Sequence, residues 1–230
     1  MSTRSILPVC LIVLLLGLSQ CKPKVEETEQ EEIQLTIPEK IAHAHGYENW
    51  KNVEEIAFAF NFKSPRGTFK RSWTWQTKAN TVQMQMDTLI INYDRSQELD
   101  SLAMRYDRGF INDRYWILLP FNLMWDKASY TYETTENRVA PISADTLDCL
   151  TIVYKSEGGY TPGDAYDIFY DEDYTIREWI FRRGNGEEPN SIATWENYKE
   201  VGGLKLVSDH NYPNGNHLFI TGLEVKTKQD

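Results

Sequence analysis

From residue 56 onward, apolar and polar positions alternate with a period of two, the pattern of strands that bury one face. Residues 56–62 place three phenylalanines on one face, and residues 72–76 do the same with two tryptophans. A turn at residues 78–80 makes the segment 81–86 the partner of the strand before it. Further strand signals lie at residues 88–93, 129–133, 147–155, 165–170, 175–182, 191–198, 204–208 and 217–225. The short connections between them permit antiparallel neighbours only.

Three segments without this alternation have helical character. Residues 38–45 begin with proline and precede Gly46, at the position where a helix end readily becomes left-handed. Residues 99–106 carry leucine, alanine and tyrosine at helical spacing. Residues 111–125 are strongly apolar and form a helix or an ordered loop, with Pro120 expected to interrupt a helix there.

These elements predict a mainly β (α+β) domain over residues 38–230. Its about eleven strands exceed what a flat open sheet holds, so the sheet must curl to protect its edges. Helices across the concave side would cover the aromatic strand faces. We therefore expect a curled antiparallel half-barrel with covering helices.

The first twenty residues are typical of a secretory signal peptide. Arg4 supplies the basic start, and the apolar run at residues 6–18 is too short to cross a bilayer. A cysteine directly after such a run resembles the bacterial lipobox, which implies that residues 1–20 are removed and Cys21 is lipidated. An uncleaved membrane anchor and ordinary secretion with a free cysteine are the alternatives.

Residues 22–34 are rich in glutamate with almost no apolar content, so we expect residues 21–37 to form a flexible acidic tether. Together with the lipid on Cys21, this predicts a protein of the cell envelope, anchored to a bacterial membrane and most simply the outer one. The domain would lie in the periplasm or on the cell surface.

The net charge limits the classes of partner, and the cysteine content limits what can stabilise the domain. The formal net charge is −10, and loss of Arg4 with the signal makes it −11. No basic face is evident to neutralise phosphates, which argues against nucleic acid, and acidity disfavours anionic headgroups. The membrane contact is therefore expected through covalent lipid. Cys149 is the remaining cysteine of the domain, so stability must come from an ordinary core.

Most of residues 38–226 resembles the LolA/LolB-like superfamily of periplasmic lipoprotein carriers and their outer-membrane receptors. The resemblance rests on the leading helix, the long aromatic strands and the closing segments, at residues 38–45, 56–62, 69–77, 81–86, 166–171, 175–179 and 198–206. It implies a half-barrel whose apolar concave interior, covered by helices, accepts acyl chains. His45-Gly46, Trp50, Pro120-Phe121 and residues 159–166 are also similar to a group of lipoproteins of this fold to which no activity attaches.

The strongest candidate site is the apolar surface of this interior, where large rings and adaptable thioethers suit hydrophobic or lipidated ligands. We expect it to comprise Phe58, Phe60, Phe62, Trp73, Trp75, Met84, Met86, Trp116, Leu119, Phe121, Met124 and Trp125. A close-packed core without space for a ligand is the alternative, which would leave a structural envelope lipoprotein. Exposed aromatic residues could instead bind glycans or proteins.

Catalytic and metal motifs are weak. The sequence has no G-x-S-x-G elbow and no zinc-protease helix, although its 34 acidic residues leave a paired-carboxylate site open. His43 and His45 would point roughly 200° apart on a helix and cannot share an ion. The acidic residues at 164–173 lack calcium-loop spacing. We expect no enzyme activity, metal or cofactor.

Overall fold

The computed structural model describes residues 34–228, so the signal segment, Cys21 and most of the acidic stretch lie outside the described residues. The compact unit begins at Leu35 and its first helix at Ile37. Residues 35–37, which the sequence assigns to the tether, therefore belong to the domain.

Two α-helices and thirteen strands form the described part of the chain. The helices are α1 (Ile37–Ala44) and α2 (Ser101–Trp125), with a short 3-10 segment at Tyr47–Asn52. The strands are β1 (Val53–Ser64), β2 (Gly67–Gln76), β3 (Thr81–Met86), β4 (Leu89–Asp94), β5 (Tyr130–Val139), β6 (Thr146–Tyr154), β7 (Ala165–Tyr170), β8 (Ile176–Arg182), β9 (Ser191–Thr194), β10 (Lys199–Val201), β11 (Leu204–Leu206), β12 (Asp209–Asn211) and β13 (His217–Thr227).

The strands form a six-stranded sheet, a five-stranded sheet and a separate hairpin. The six-stranded sheet has the order β12-β13-β1-β2-β3-β4, the five-stranded sheet runs from β5 to β9 in chain order, and β10 pairs with β11. All neighbours are antiparallel. The two large sheets meet where β9 lies beside β12, next to a single bridge between Glu196 and Asp209. Eleven strands thus follow one another along an open curl, which confirms the predicted fold class.

Three details of the sequence-based strand assignment are wrong. The segment predicted at residues 191–198 ends as a strand at Thr194, and the short strand β12 was not predicted, whereas the β10–β11 hairpin lies where the resemblance implied one. The three residues of β12 are too few to show a period. Strand β5 also continues to Val139, beyond the predicted end at residue 133. The prediction stopped early because β5 is an edge strand whose outer residues are polar and exposed, so its sequence shows no alternation.

Helix α1 has the predicted position and end. The Thr36 backbone N–H donates to Glu39 Oε2 at 2.8 Å, which closes the first turn. Gly46 follows in the left-handed region at φ 82°. A β-carbon there would lie 2.3 Å from the carbonyl oxygen of Gly203, so this contact with the β10–β11 turn requires glycine.

Helix α2 connects the two free sheet edges, β4 and β5, and fills the concave side. The Asp100 side chain caps it by accepting the Ala103 N–H at 2.8 Å. The prediction that Pro120 interrupts a helix is confirmed: Leu118, two residues before it, has non-helical dihedral angles (φ −114°, ψ 21°), although helical structure resumes and continues to Trp125. Every residue from 115 to 123 is buried, so tertiary packing holds the second half of the helix despite the proline. No helix within residues 34–228 is long and apolar enough to cross a membrane.

Candidate hydrophobic binding site

The predicted aromatic and methionine face lies inside the domain, where α2 covers it. Eight of the twelve side chains are buried: Phe58, Phe60, Trp73, Trp75, Met84, Trp116, Leu119 and Phe121. Phe62, Met86, Met124 and Trp125 are half-buried. The rings of Trp73 and Trp75 pack against Phe110 of α2, with centroids 5.4 and 5.6 Å apart. The helix occupies the space that the sequence assigned to a ligand, and a binding role for this face stays a prediction.

Trp50, which the sequence-based site omitted, completes the packing at this end of α2. Its ring lies 5.7 Å from Trp75, 5.4 Å from Phe121 and 4.8 Å from Trp125. The guanidinium of Arg114 lies over Trp75 and Trp125, 5.3 and 5.4 Å from the ring centroids. Burial lowers the pKa of Arg114 to about 10, and its Nε–H has no partner among the described residues.

A small cavity, here called the aromatic pocket, lies between α2 and the five-stranded sheet. Its volume is about 190 Å³. It is lined by Asn112, Tyr115, Trp116, Tyr160, Thr161, Tyr166, Trp179, Phe181 and Ser191. Of the predicted site residues, Trp116 alone contributes to it. The other lining residues were missed because they come from helix, loop and strand positions far apart in the chain, which only the tertiary fold brings together.

Aromatic stacking defines two walls of this pocket. Tyr160 lies flat on Tyr115, with ring centroids 3.9 Å apart and planes 5° from parallel. Trp116 stacks on Trp179 at 4.9 Å and 18°. Tyr160 belongs to the exposed loop between β6 and β7, where Gly159 has a φ of 75°. A β-carbon on Gly159 would lie 2.5 Å from the Tyr154 ring, so glycine lets the loop fold back over the pocket.

Two hydrogen-bond donors in the lining are unpaired. The hydroxyl of Tyr115 and the indole N–H of Trp179 are buried and have no hydrogen-bond partner within residues 34–228. Burial raises the pKa of Tyr115 well above its ordinary value, so its hydroxyl stays a neutral donor. By contrast, the Tyr166 hydroxyl lies 2.9 Å from that of Thr161 and is satisfied. Unpaired buried donors are unusual in folded proteins and mark the lining as suited to an acceptor.

Comparison with protein families and with curated proteins gives no match. The chain is similar to three solved structures, each over 84% of its length. A DUF1329 family protein from Desulfovibrio piger has 9% identity, 93% coverage and a TM-score of 0.48. A LolA superfamily protein from Nitrosomonas europaea has 11% identity, 94% coverage and a TM-score of 0.48. A candidate outer membrane lipoprotein-sorting protein domain from Vibrio parahaemolyticus has 12% identity, 95% coverage and a TM-score of 0.46. The LolA superfamily, which the sequence resembles, is named for one of these structures.

A second groove lies where the domain begins. It has a volume of about 320 Å³ and is bordered by Thr36, Pro38, Glu39, Leu123, Met124, Lys127, Tyr130, Thr131 and Tyr132. Lys127 closes one side through its 2.6 Å contact with Glu39 Oε1. Because Tyr132 is 46% exposed, this groove is open to solvent.

The polar candidates from the sequence are held by ordinary contacts. His43 faces Glu48 at 3.2 Å, whereas His45 is buried with Nδ1 2.7 Å from the Ile41 carbonyl oxygen. Asp171 contacts Arg177 at 2.5 Å. Within residues 34–228, no three histidine, cysteine or acidic side chains converge on a point that could hold a metal ion.

The outer surface of the described domain carries few exposed aromatic rings. Its exposed large hydrophobic side chains include Phe69 on β2 and Tyr132 on β5, which lie in different sheets, and no tryptophan. An open aromatic strip for stacking sugars would need neighbouring exposed rings. The aromatic content is concentrated in the interior instead.

Proposed function

We propose that this chain is a lipid-anchored protein of the cell envelope whose domain binds the apolar part of a hydrophobic or lipidated ligand in the aromatic pocket. One observation carries the proposal: a cavity is walled by six aromatic rings, and two of its lining residues, Tyr115 and Trp179, each carry a buried donor without a partner among the described residues. Apolar contact would supply affinity at about 25 cal/mol per Å² removed from water. The donors suit the carbonyl oxygen of an ester or amide at the head of an acyl chain.

The pocket must enlarge to take more than a short apolar segment. Its 190 Å³ is the liquid volume of about six water molecules and lies below the roughly 300 Å³ at which ligand pockets usually begin. Tyr160 is the wall that can move, because it sits on an exposed loop and stacks on Tyr115. Such aromatic pairs contribute only about 0.5–1.5 kcal/mol beyond their buried area. Displacement of this ring would therefore cost little.

The anchor places this site at a membrane. With lipid on Cys21, the fourteen residues that reach Leu35 would span at most roughly 50 Å. A domain on such a tether stays within reach of the acyl chains and lipidated proteins of its own membrane. The tether and the pocket thus serve one function, the capture of apolar ligands near the bilayer.

Uptake of a fluorescent apolar probe tests the site. We would titrate N-phenyl-1-naphthylamine into the domain and compare Ser191→Trp, which fills the pocket from its rim, with Thr135→Trp on an exposed position of β5. We expect wild type and Thr135→Trp to bind alike, and Ser191→Trp to bind at least about tenfold more weakly. Equal binding by all three proteins would place the ligand elsewhere, and no binding by wild type would refute the proposal.

Native mass spectrometry of the full chain, purified from its own membrane, identifies the ligand class. A co-purifying species with acyl chains, lost in Ser191→Trp, is the expected result. A co-purifying glycan would instead favour the surface-module alternative.

A further inference from the structure

Helix α2 contains a carbonyl group that lacks its usual α-helical donor. In an α-helix the carbonyl of Trp116 would accept the N–H of residue 120, and Pro120 has none. The proline ring also clashes with this carbonyl and pushes it away from the helix axis. The non-helical conformation of Leu118 marks the resulting break. Since Trp116 is buried, its carbonyl needs a donor from another part of the molecule.

His210 of β12 lies at that position. Its Nε2 is 3.0 Å from the Trp116 carbonyl oxygen, and its Nδ1 is 2.9 Å from the carbonyl oxygen of Thr194 in β9. The imidazole is completely buried. One side chain thus joins α2 to both large sheets at the place where they meet.

The two acceptors compete for a single proton. Burial lowers the pKa of His210 to about 4, so the ring is neutral at pH 7 and carries one N–H. The contact with Trp116 is fully buried, whereas the contact with Thr194 is only partly buried. An unpaired acceptor costs more where water cannot reach it. The proton therefore belongs on Nε2, where it donates to Trp116.

The same ring also packs on the side chain of Trp116. The centroid of His210 lies 4.9 Å from that of Trp116 at 64°, and 4.7 Å from that of Trp195 at 81°. On its other side Trp116 stacks on Trp179, and both tryptophans line the aromatic pocket. The backbone hydrogen bond and the ring contact together fix where the Trp116 indole stands.

We propose that His210 is a positioning residue for the aromatic pocket: its Nε2–H replaces the missing N–H of Pro120 and thereby holds Trp116 as a pocket wall. The predicted effect on ligand affinity rests on the proposed function. The predicted effect on the position of the Trp116 ring does not, and the two effects are measured separately.

A double-mutant cycle with Pro120→Ala isolates this replacement. The Pro120→Ala variant would regain the helical N–H that the Trp116 carbonyl lacks, so His210 would become dispensable there. We would prepare His210→Leu, which has no donor, and His210→Gln, which retains one, each in the wild-type chain and in the Pro120→Ala background. Readouts are the indole N–H resonances of Trp116 and Trp179 and the affinity for N-phenyl-1-naphthylamine.

In the wild-type background, His210→Leu should shift both indole resonances and weaken probe binding about fivefold, the effect expected for loss of one hydrogen bond. His210→Gln should recover most of this loss. In the Pro120→Ala background, His210→Leu should change affinity by less than about twofold. Equal losses in both backgrounds would overturn the proposal. Should His210→Leu fail to fold, the tautomer of His210 in the wild-type protein decides the proposal.

The tautomer of His210 tests the proposed hydrogen bond independently. Imidazole ¹⁵N shifts at pH 7 should show a protonated Nε2, and a protonated Nδ1 would overturn the assignment because Nε2 could not then donate. If wild type binds no probe, the proposed function fails, while the indole resonances and the tautomer still decide the role of His210.

Discussion

Arg71 holds Asp113 in a two-point contact, with Nε–Oδ2 and Nη2–Oδ1 both at 2.8 Å. Arg71 lies on β2 and Asp113 on α2, so the pair fastens the central helix to the six-stranded sheet. The indole N–H of Trp73 also donates to Asp113 Oδ2 at 2.8 Å. The carboxylate is fully buried, and a fourth donor, Asn112 Nδ2, lies 3.1 Å from its Oδ1, so four donors satisfy it.

Removal of this carboxylate should strongly destabilise the fold. Asp113→Leu leaves the largely buried guanidinium of Arg71 without a partner, and we expect a loss of about 3–5 kcal/mol in the free energy of unfolding. Urea denaturation measures it. The matched control is Asp171→Asn, which breaks the more exposed pair with Arg177 and should cost no more than about 1 kcal/mol. Similar losses in both variants would contradict this view of the pair.

Loss of the Tyr115 hydroxyl should leave stability unchanged or raise it. Tyr115→Phe removes a buried donor without a partner, whereas Tyr130→Phe removes a hydroxyl that donates to the Leu123 carbonyl at 2.7 Å. We expect the second variant to lose about 0.5–1.5 kcal/mol and the first to lose nothing. Urea denaturation of the two variants side by side checks this. A comparable loss for Tyr115→Phe would mean that its hydroxyl is satisfied in solution.

Stability should fall as the pH drops from 6.5 towards 4. Burial lowers the pKa of His45 and of His210 to about 4, while an unfolded histidine titrates near 6.5. Between these values the unfolded state binds more protons, so the contribution is complete above pH 6.5 and declines below it. Each histidine should cost about 2 kcal/mol between pH 7.5 and pH 5.

Comparison of the wild-type protein with His45→Gln separates the contribution of histidine protonation from that of the titrating carboxylates. The free energy of unfolding is measured for both proteins at pH 7.5 and pH 5. The variant should lose about 2 kcal/mol less than wild type over this interval. An identical pH dependence would show that His45 titrates normally in the fold.

The predicted face and the aromatic pocket can be distinguished with Met84. Its side chain is fully buried and does not line the pocket. Met84→Ala should lower the free energy of unfolding by about 2–5 kcal/mol through the cavity it leaves. Probe affinity, measured where the variant is fully folded, should stay within about twofold of wild type. A tenfold loss of affinity would mean that the probe binds at the aromatic and methionine face predicted from the sequence.

Lipidation is tested by metabolic labelling. Full-length chain expressed in a lipoprotein-processing bacterium should incorporate labelled palmitate and fractionate with membranes. Cys21→Ser should lose both properties, because it removes the thiol that accepts the lipid. Cys149→Ala is the matched control: its thiol is buried in β6, so labelling should persist. Label retained in Cys21→Ser would exclude this anchor.

The sequence determined the local elements whose side chains repeat with a clear period. The long strands β1, β2 and β3 and the end of α1 at Gly46 follow from alternation and from one backbone conformation, both of which are local properties. It also predicted that the aromatic strand residues form the interior. The three-residue strands left no such pattern.

Only the tertiary structure decided what fills that interior. Sequence periodicity shows that Trp73 and Trp75 share a face, but not that α2 packs against them, because this contact joins residues about forty positions apart. Pro120 looked like the end of a helix, since its local effect is to remove a donor and clash with a carbonyl. His210 supplies the replacement donor to the Trp116 carbonyl, ninety-four residues away in the chain, and no local pattern links these two residues. Such long-range contacts, rather than periodicity, place the aromatic pocket.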